Sequence, residues 1–485
     1  MGVPVFAGEV SLAEVVARHA LESPGQTALL FEGERLSYGD LARRIVAATR
    51  LLAQDWHVRS GDRVAWLGAS HPGELVLLFA LARLGAVLVP LNYRLAPGEW
   101  DRLLADCKPV CVVHDITWAE AAKALAQRNS LASHCVDELM AAPPASDAPT
   151  DGKADSPVLL VSTSGTTGGP KLAVHTQANL LANMAIAAAS QELSPHDRVL
   201  TVLPLFHVGG LCIQTLPALY AGAEVVLHAK FDPGETLGAI AGLRPTLTLQ
   251  VPATMKALVE HPRWASTDLS SLRAVWAGSS LIPTALVEAF HARGVPLCNV
   301  YGATETGPFS IALGPTHART HVGSCGWPAQ GVEAKLGEGG EVLLRAPNIV
   351  ARYWPDVPAL DADGWFATGD LAVQAADGSY TIVGRAKELI ISGGENIHPA
   401  EIELVLAQHP AVAECAAFGV PDERWGEAVA VAIVAKVPCT EGALRLHLEG
   451  QLARFKIPRK WYFVDALPKT ALGKVQRAAL ARRFA

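Results

Sequence analysis

Chemistry concentrates first in the stretch Thr163-Ser-Gly-Thr-Thr-Gly-Gly-Pro-Lys171. Its three glycines let the backbone approach a ligand closely. Its four hydroxyls and free N–H groups can surround an anion, and Lys171 adds a cation. Those are the needs of a polyphosphate cradle. The stretch is not a Walker A loop, because Pro170 and Leu172 break the required Gly-Lys-Ser/Thr order. Neither a G-x-S-x-G elbow nor an H-E-x-x-H pair occurs, so neither nucleophilic-serine nor zincin chemistry is indicated. Further on, Thr304 and Glu305 follow the apolar run PLCNV, Asp370 closes a Thr-Gly-Asp triplet, and Lys474 stands between Gly473 and Val475. Taken singly, these could be a helix cap, a turn and a solvated tail residue.

The elements that must position these residues read as alternating strands and helices. Ser11-Leu-Ala-Glu14 and Ser37-Tyr-Gly-Asp40 are capping-box patterns, each opening an apolar-periodic helix. The β-type runs DRVAWLG, AVLVPL, VCVVHD and PVLLVST alternate with such helices, as in βαβ units of a mainly parallel sheet. Residues 141–156, rich in Pro, Ala, Ser and Asp, read as an exposed loop. Past residue 340 the texture turns strand-rich, and Asp377-Gly378 between apolar runs predicts a hairpin. From about residue 388 a small α+β unit follows. A helix opens at Pro399 with Ile402, Val405 and Leu406 on one face, and then come two strands, a helix near 441–454 and the strand KWYFVDAL. A chain of 485 residues exceeds a single core of roughly 250–300 residues. The expected class is α/β: a large N-terminal domain, residues 1–386, of parallel sheets with a small β-barrel-like part, and a smaller mobile α+β domain, residues 387–485.

In order, STSGTTGGPK (162–171), PLFHVGG (204–210), YGATE (301–305), TGD (368–370), GRAKELIISGGENIHPAEIE (384–403) and PKTALGK (468–474) resemble the motifs of the AMP-forming acyl-CoA synthetases and their adenylating relatives. The blocks span nearly the whole chain. The resemblance implies that ATP, Mg²⁺ and coenzyme A are used to turn a carboxylic acid into an acyl-adenylate and then a thioester. It implies a phosphate site at Thr163, Ser164, Gly165, Thr166, Thr167, Gly168 and Lys171, and an AMP site that adds Ser279, Tyr301, Gly302, Ala303 and Thr304. Thr304 would contact a phosphate and Glu305 would hold Mg²⁺, which takes one or two carboxylates beside substrate phosphates. Asp370 would bind the ribose hydroxyls, and Arg385 the same ribose or the phosphate. Lys474 becomes the catalytic lysine, drawing two anions together electrostatically. The acid is already ionised at neutral pH, so this step needs no general base.

The same resemblance makes Lys387 the hinge about which the C-terminal domain turns between half-reactions. Gly393 and Gly394 would then line a pantetheine tunnel, and Trp425 and Phe455 would contact coenzyme A. The basic run 454–460 serves either its nucleotide phosphates or a solvated face. Ile457 stands where some relatives carry a basic residue. His207 would separate acyl pocket from thiol tunnel, with Val208, Gly209, Leu249, Gln250, Ser279 and Pro308 as pocket walls and Gly209-Gly210 leaving room for a bulky group. None of these is charged, so an unpaired second carboxylate would be costly to bury, and an aromatic or phenylpropenoid monocarboxylate is expected. A medium- or long-chain fatty acid, a carrier-protein acceptor and a non-catalytic nucleotide sensor are the alternatives. Two positions depart from the family pattern: Arg352 for a usual glycine, and Ser279-Ser280 for Gly-Ala.

The formal charge of -7 argues against a nucleic-acid partner. No signal peptide and no membrane span are indicated, and the 8 cysteines, without a CxxC pair, read as buried reduced thiols. A cytoplasmic enzyme is expected, acting on small molecules, with a homodimer left open.

Overall fold

The computed structural model describes residues 11–163, 171–278, 282–392, 395–423, 425–449, 451–470 and 473–485. Strands up to Arg385 form three sheets, and strands from Ile390 onward a fourth. The first is nine-stranded. Its five parallel pairings run through Leu297–Tyr301, Ala274–Gly278, Leu247–Gln250, Arg198–Thr201, Glu224–Leu227 and Thr27–Phe31, with antiparallel strands at both edges. The second is eight-stranded, and Pro157–Thr163, Val87–Pro90, Arg63–Leu67, Cys111–His114 and Ala132–Cys135 form its parallel body. The expected α/β class with a large parallel-sheet domain is what the chain adopts.

Strand periodicity explains the layering. In Arg63–Leu67, Val64 and Trp66 point into a core shared with Leu29, Val199 and Trp276 of the other sheet. Ala65 and Leu67 point the opposite way, onto Trp100, Leu103 and Leu125 of outer helices. The helix Pro72–Leu84 lies in the shared core. Apart from Glu74 and Arg83 near its ends it is apolar all round, and every residue from Leu75 to Ala82 is fully buried. The nine-stranded sheet buries Leu200 and Val275 on its far face against Leu237, Met255 and Phe290.

The β-barrel-like part past residue 330 is an antiparallel sheet of Glu333–Leu336, Glu341–Arg345, Phe366–Gln374 and Tyr380–Arg385. The hairpin expected at Asp377-Gly378 forms, with Gly378 at φ 85°. The smaller C-terminal unit is a sheet around the paired strands Val412–Asp422 and Gly426–Ala435, flanked by helices Pro399–Leu406, Glu441–Glu449 and Arg477–Phe484.

Local expectations hold with four corrections. The Ser37 box closes as read, Asp40 N–H donating to Ser37 Oγ at 3.0 Å and Ser37 N–H to Asp40 Oδ2 at 3.1 Å. Ser11 instead caps its helix through Ala13 N–H at 3.3 Å. The helix expected near 441–454 is described over Glu441–Glu449, and Arg454–Lys456 form a separate 3-10 turn. The 141–156 loop is not wholly exposed: Gly152 N–H donates to Arg83 O at 2.9 Å, and a Cβ there would lie 1.9 Å from Ala82 O. Among the cysteines, 107, 111, 212, 298 and 325 are buried thiols, while 135, 415 and 439 are only half-buried.

Candidate active site

Open parallel sheets bind ligands outside the carboxyl ends of their strands, and the predicted residues gather there. Thr163, Gln250, Gly278 and Tyr301 each end a parallel strand. Thr163 stands opposite Lys171 on the antiparallel strand Lys171–Thr176, and its hydroxyl donates to Lys171 O at 3.2 Å. The two ends of the 163–171 stretch are thus fixed to each other.

Asp370 and Arg385 face each other across paired strands. Arg385 Nε donates to Asp370 Oδ1 at 2.7 Å, and Tyr301 OH donates to Oδ2 at 2.9 Å. Asp370 is buried. Burial first, and the Asp370 charge second, push the Tyr301 phenol up, so it stays a donor. Burial alone would lower Arg385, but the Asp370 charge and hydrogen bond outweigh it. The result is a strand-held carboxylate with a cation and a phenol already in place. Gly302 follows because nothing larger fits: a Cβ there would lie 1.7 Å from Pro308 O.

Glu305 lies in the 3-10 turn Thr304–Thr306. Its Oε1 accepts from Tyr353 OH at 2.9 Å, and its backbone carbonyl accepts from Val350 N–H at 2.9 Å. Lys171 Nζ sits 4.8 Å from the centre of the Tyr353 ring. Behind this turn, fully buried Asn348 donates from Nδ2 to Thr306 O at 2.7 Å and Phe309 O at 2.9 Å. Asn183 joins the network, donating to Cys212 O at 2.8 Å. Arg352, the departure from the family pattern, donates to Pro355 O beside the site and touches none of these groups.

Lys474 reaches the same place from the C-terminal unit. Its backbone is tied to Thr470: Thr470 N–H donates to Lys474 O at 2.7 Å, Lys474 N–H to Thr470 Oγ1 at 3.2 Å, and Gly473 takes φ 79°. Gly473 lies against Ala253, three residues beyond the strand end at Gln250. The Lys474 ammonium has no hydrogen bond or ion pair among the described residues. Burial lowers its pKa first, and the nearby Arg385 charge next, with Glu388 and Asp370 opposing. Arg477, just beyond, is held at 2.7 Å by both Glu388 and Glu403.

Among the residues expected to line the acyl pocket, His207 Nδ1 accepts from Gly209 N–H at 3.0 Å, and burial lowers the imidazole to about 4, so it is neutral. Val208 and Leu249 lie in one core, and Pro308 is buried. Gln250 is oriented differently from the expected wall: Nε2 donates to Thr248 Oγ1 at 3.0 Å on the sheet face opposite Leu249. Gly210 gives no room either, since a Cβ there would lie 2.2 Å from Pro204 O. On the thiol side, Arg459 stacks over Trp425 at 4.4 Å and Phe455 is exposed. Ile457 is buried in the C-terminal core, and Lys456 pairs with Glu401. Lys387 lies in the turn Ala386–Glu388 between the third and fourth sheets.

Ser164, Gly165, Thr166, Thr167, Gly168, Ser279, Gly393 and Gly394 lie outside the described residues. Motif spacing does not point to Tyr353, Asn348 or Arg477. The signal for Tyr353 was its place beside Arg352 in a strand that pairs with Lys171–Thr176.

The AMP-binding enzyme family matches residues 16–354, and the AMP-binding enzyme C-terminal domain matches residues 401–474. The chain is 44% identical to the indoleacetate–CoA ligase of Aromatoleum aromaticum, over 96% of this chain and 97% of that one. It is 39% identical to the feruloyl-CoA synthase of an Amycolatopsis species, over 96% and 98%. Among solved structures, the anthranilate CoA ligase in complex with anthranoyl-AMP superposes with a TM-score of 0.91 at 26% identity, covering 100% and 99%. The o-succinylbenzoate CoA synthetase of Bacillus subtilis, in complex with ATP and magnesium ion, gives 0.87 at 30%, covering 96% and 98%.

Proposed function

The chain belongs to the AMP-binding enzyme family, and we propose that it activates an aromatic monocarboxylate as its adenylate and passes the acyl group to coenzyme A. It is an AMP-forming acid–thiol ligase, using ATP, Mg²⁺ and coenzyme A. The aromatic acid is supported by indoleacetate and ferulate, the acids of two relatives that align along their full length. It is supported also by the neutral character of His207, Val208, Leu249 and Pro308, which would leave a second carboxylate unpaired.

The observation that carries the reading is that Asp370 and Arg385 are paired and that both of their charges act on Lys474, whose ammonium has no partner among the described residues. Asp370 holds the ribose hydroxyls, and Arg385 neutralises charge beside them. Lys474 brings its ammonium to the acid's carboxylate and the α-phosphate, two anions that repel until a cation bridges them. No proton has to be removed, so neutral His207 acts as a wall and not a base. Glu305 suits a divalent cation: one oxygen is held by Tyr353 and the other has no partner among the described residues. Mg²⁺, when bound, neutralises phosphate charge. Domain 1–386 carries these groups except Lys474, and domain 387–485 turns about Lys387 to exchange Lys474 for the Gly393-Gly394 segment. Trp425 and Phe455 then meet coenzyme A. Cysteines without a disulfide support a cytoplasmic setting, and no described helix is long and apolar enough to cross a membrane.

ATP-dependent pyrophosphate release over arylacetic, cinnamic, benzoic, fatty and dicarboxylic acids tests the substrate class. Highest kcat/KM is expected on an aromatic monocarboxylate. Preference for a fatty or dicarboxylic acid would overturn that part of the reading.

A further inference from the structure

Lys171 and Glu305 bear opposite charges on neighbouring elements, since the strand Lys171–Thr176 touches the turn Thr304–Thr306. Opposite charges so placed ordinarily pair, yet no ion pair joins them among the described residues. Tyr353 stands between. Its backbone pairs with Ala173, so its side chain shares a sheet face with Ala173 and, two residues along, with Lys171. The ring therefore takes the Lys171 ammonium on its electron-rich face at 4.8 Å, while the hydroxyl at its far end donates to Glu305 Oε1 at 2.9 Å. The strand that carries Tyr353 is anchored on the next residue: Trp354 N–H donates to Leu172 O at 2.8 Å, its indole N–H to Asp106 O at 3.0 Å, and Arg63 stacks on its ring.

We propose that Tyr353 is a positioning residue that keeps the phosphate-side cation and the metal-side carboxylate apart, each on one end of its side chain, so that both are unpaired when Mg²⁺ and ATP arrive. This rests on the assignment of Lys171 to phosphate and Glu305 to Mg²⁺. The Tyr353 hydroxyl is the donor that holds Glu305 Oε1, at 2.9 Å. Without it the carboxylate turns to Lys171, and ATP and metal must each break that pair before binding.

The two ends can be tested separately by calorimetric binding of ATP to the full chain in Mg²⁺ and in EDTA. Tyr353→Phe keeps the ring under Lys171 and removes only the hold on Glu305. The gain in ATP affinity that Mg²⁺ gives the wild type is expected to shrink roughly tenfold, with binding in EDTA changed far less. Tyr353→Leu removes both holds, and ATP binding in EDTA is expected to weaken too. The thermal midpoint of each variant without ligand separates these effects from a loss of folding. If the Mg²⁺ gain in Tyr353→Phe equals that of the wild type, the inference is wrong. A wild type with no Mg²⁺ gain that depends on Glu305, judged by Glu305→Gln, would instead sink the metal assignment beneath it.

Discussion

Asp370 enters the site from the middle of a strand with both carboxylate oxygens already held, one by Arg385 at 2.7 Å and one by Tyr301 at 2.9 Å. Lys474 is held only through its backbone, its N–H donating to Thr470 Oγ1 and its carbonyl accepting from Thr470 N–H, and its ammonium meets no partner among the described residues. The nucleotide side is set before any ligand arrives, whereas the lysine is placed but left unsatisfied. The difference suits the tasks proposed for them. Ribose hydroxyls are the same at the start and end of adenylation, so a rigid acceptor serves throughout. The charge Lys474 meets develops only as the acid and the α-phosphate converge, and a lysine already paired would have to give up its partner first.

That contrast can be broken at each end. The largest effect is expected for Lys474→Ala, which should slow pyrophosphate release by about 100- to 1000-fold. Transfer from a supplied acyl-adenylate to coenzyme A should stay within a few-fold, and an equal loss in both assays would deny the lysine its special place. Asp370→Ala should act on the fold as well as on ATP use. It leaves the Tyr301 hydroxyl and Arg385 without their shared acceptor, and about 2–3 kcal/mol of stability should be lost in urea unfolding. Lys474→Ala, by contrast, should cost almost none. Asn348→Ala strands the Thr306 and Phe309 carbonyls behind the Glu305 turn, and about 1–2 kcal/mol is the expected cost.

The smallest effect concerns pH. Lys474 acts when protonated, so adenylation is present below its pKa and is lost as pH rises through it. Burial and Arg385 lower that pKa, which brings the loss to lower pH than an ordinary lysine would give. Glu388 raises it, so Glu388→Gln should move the alkaline limb of pyrophosphate release further down. A limb that moves up would contradict the assigned neighbours.

Thr163, Lys171 and Glu305 could be read from residue types at the ends of apolar runs, whereas Asp370, Arg385 and Lys474 were legible only through the resemblance of their motifs to a known family. Their partners were not legible, because contact across a sheet ignores chain distance. Tyr353 lies 48 residues from Glu305, Arg477 89 from Glu388, and Asn348 165 from Asn183. Gln250 teaches a different lesson. Leu249 and Gln250 are neighbours in a strand, and period-two alternation forbids both from facing one pocket. The structure gives the inner face to Leu249 and turns Gln250 to Thr248. Gly210, read as open space, is instead a close approach to the Pro204 carbonyl. A glycine in a motif does not say whether its missing side chain admits a ligand or a backbone.

The central claim is tested most directly by product stoichiometry. With ATP, Mg²⁺, coenzyme A and the best aromatic acid of the panel, mass spectrometry should find AMP, pyrophosphate and the acyl thioester in equal amounts. ADP with phosphate, or AMP and pyrophosphate with no thioester, would contradict it.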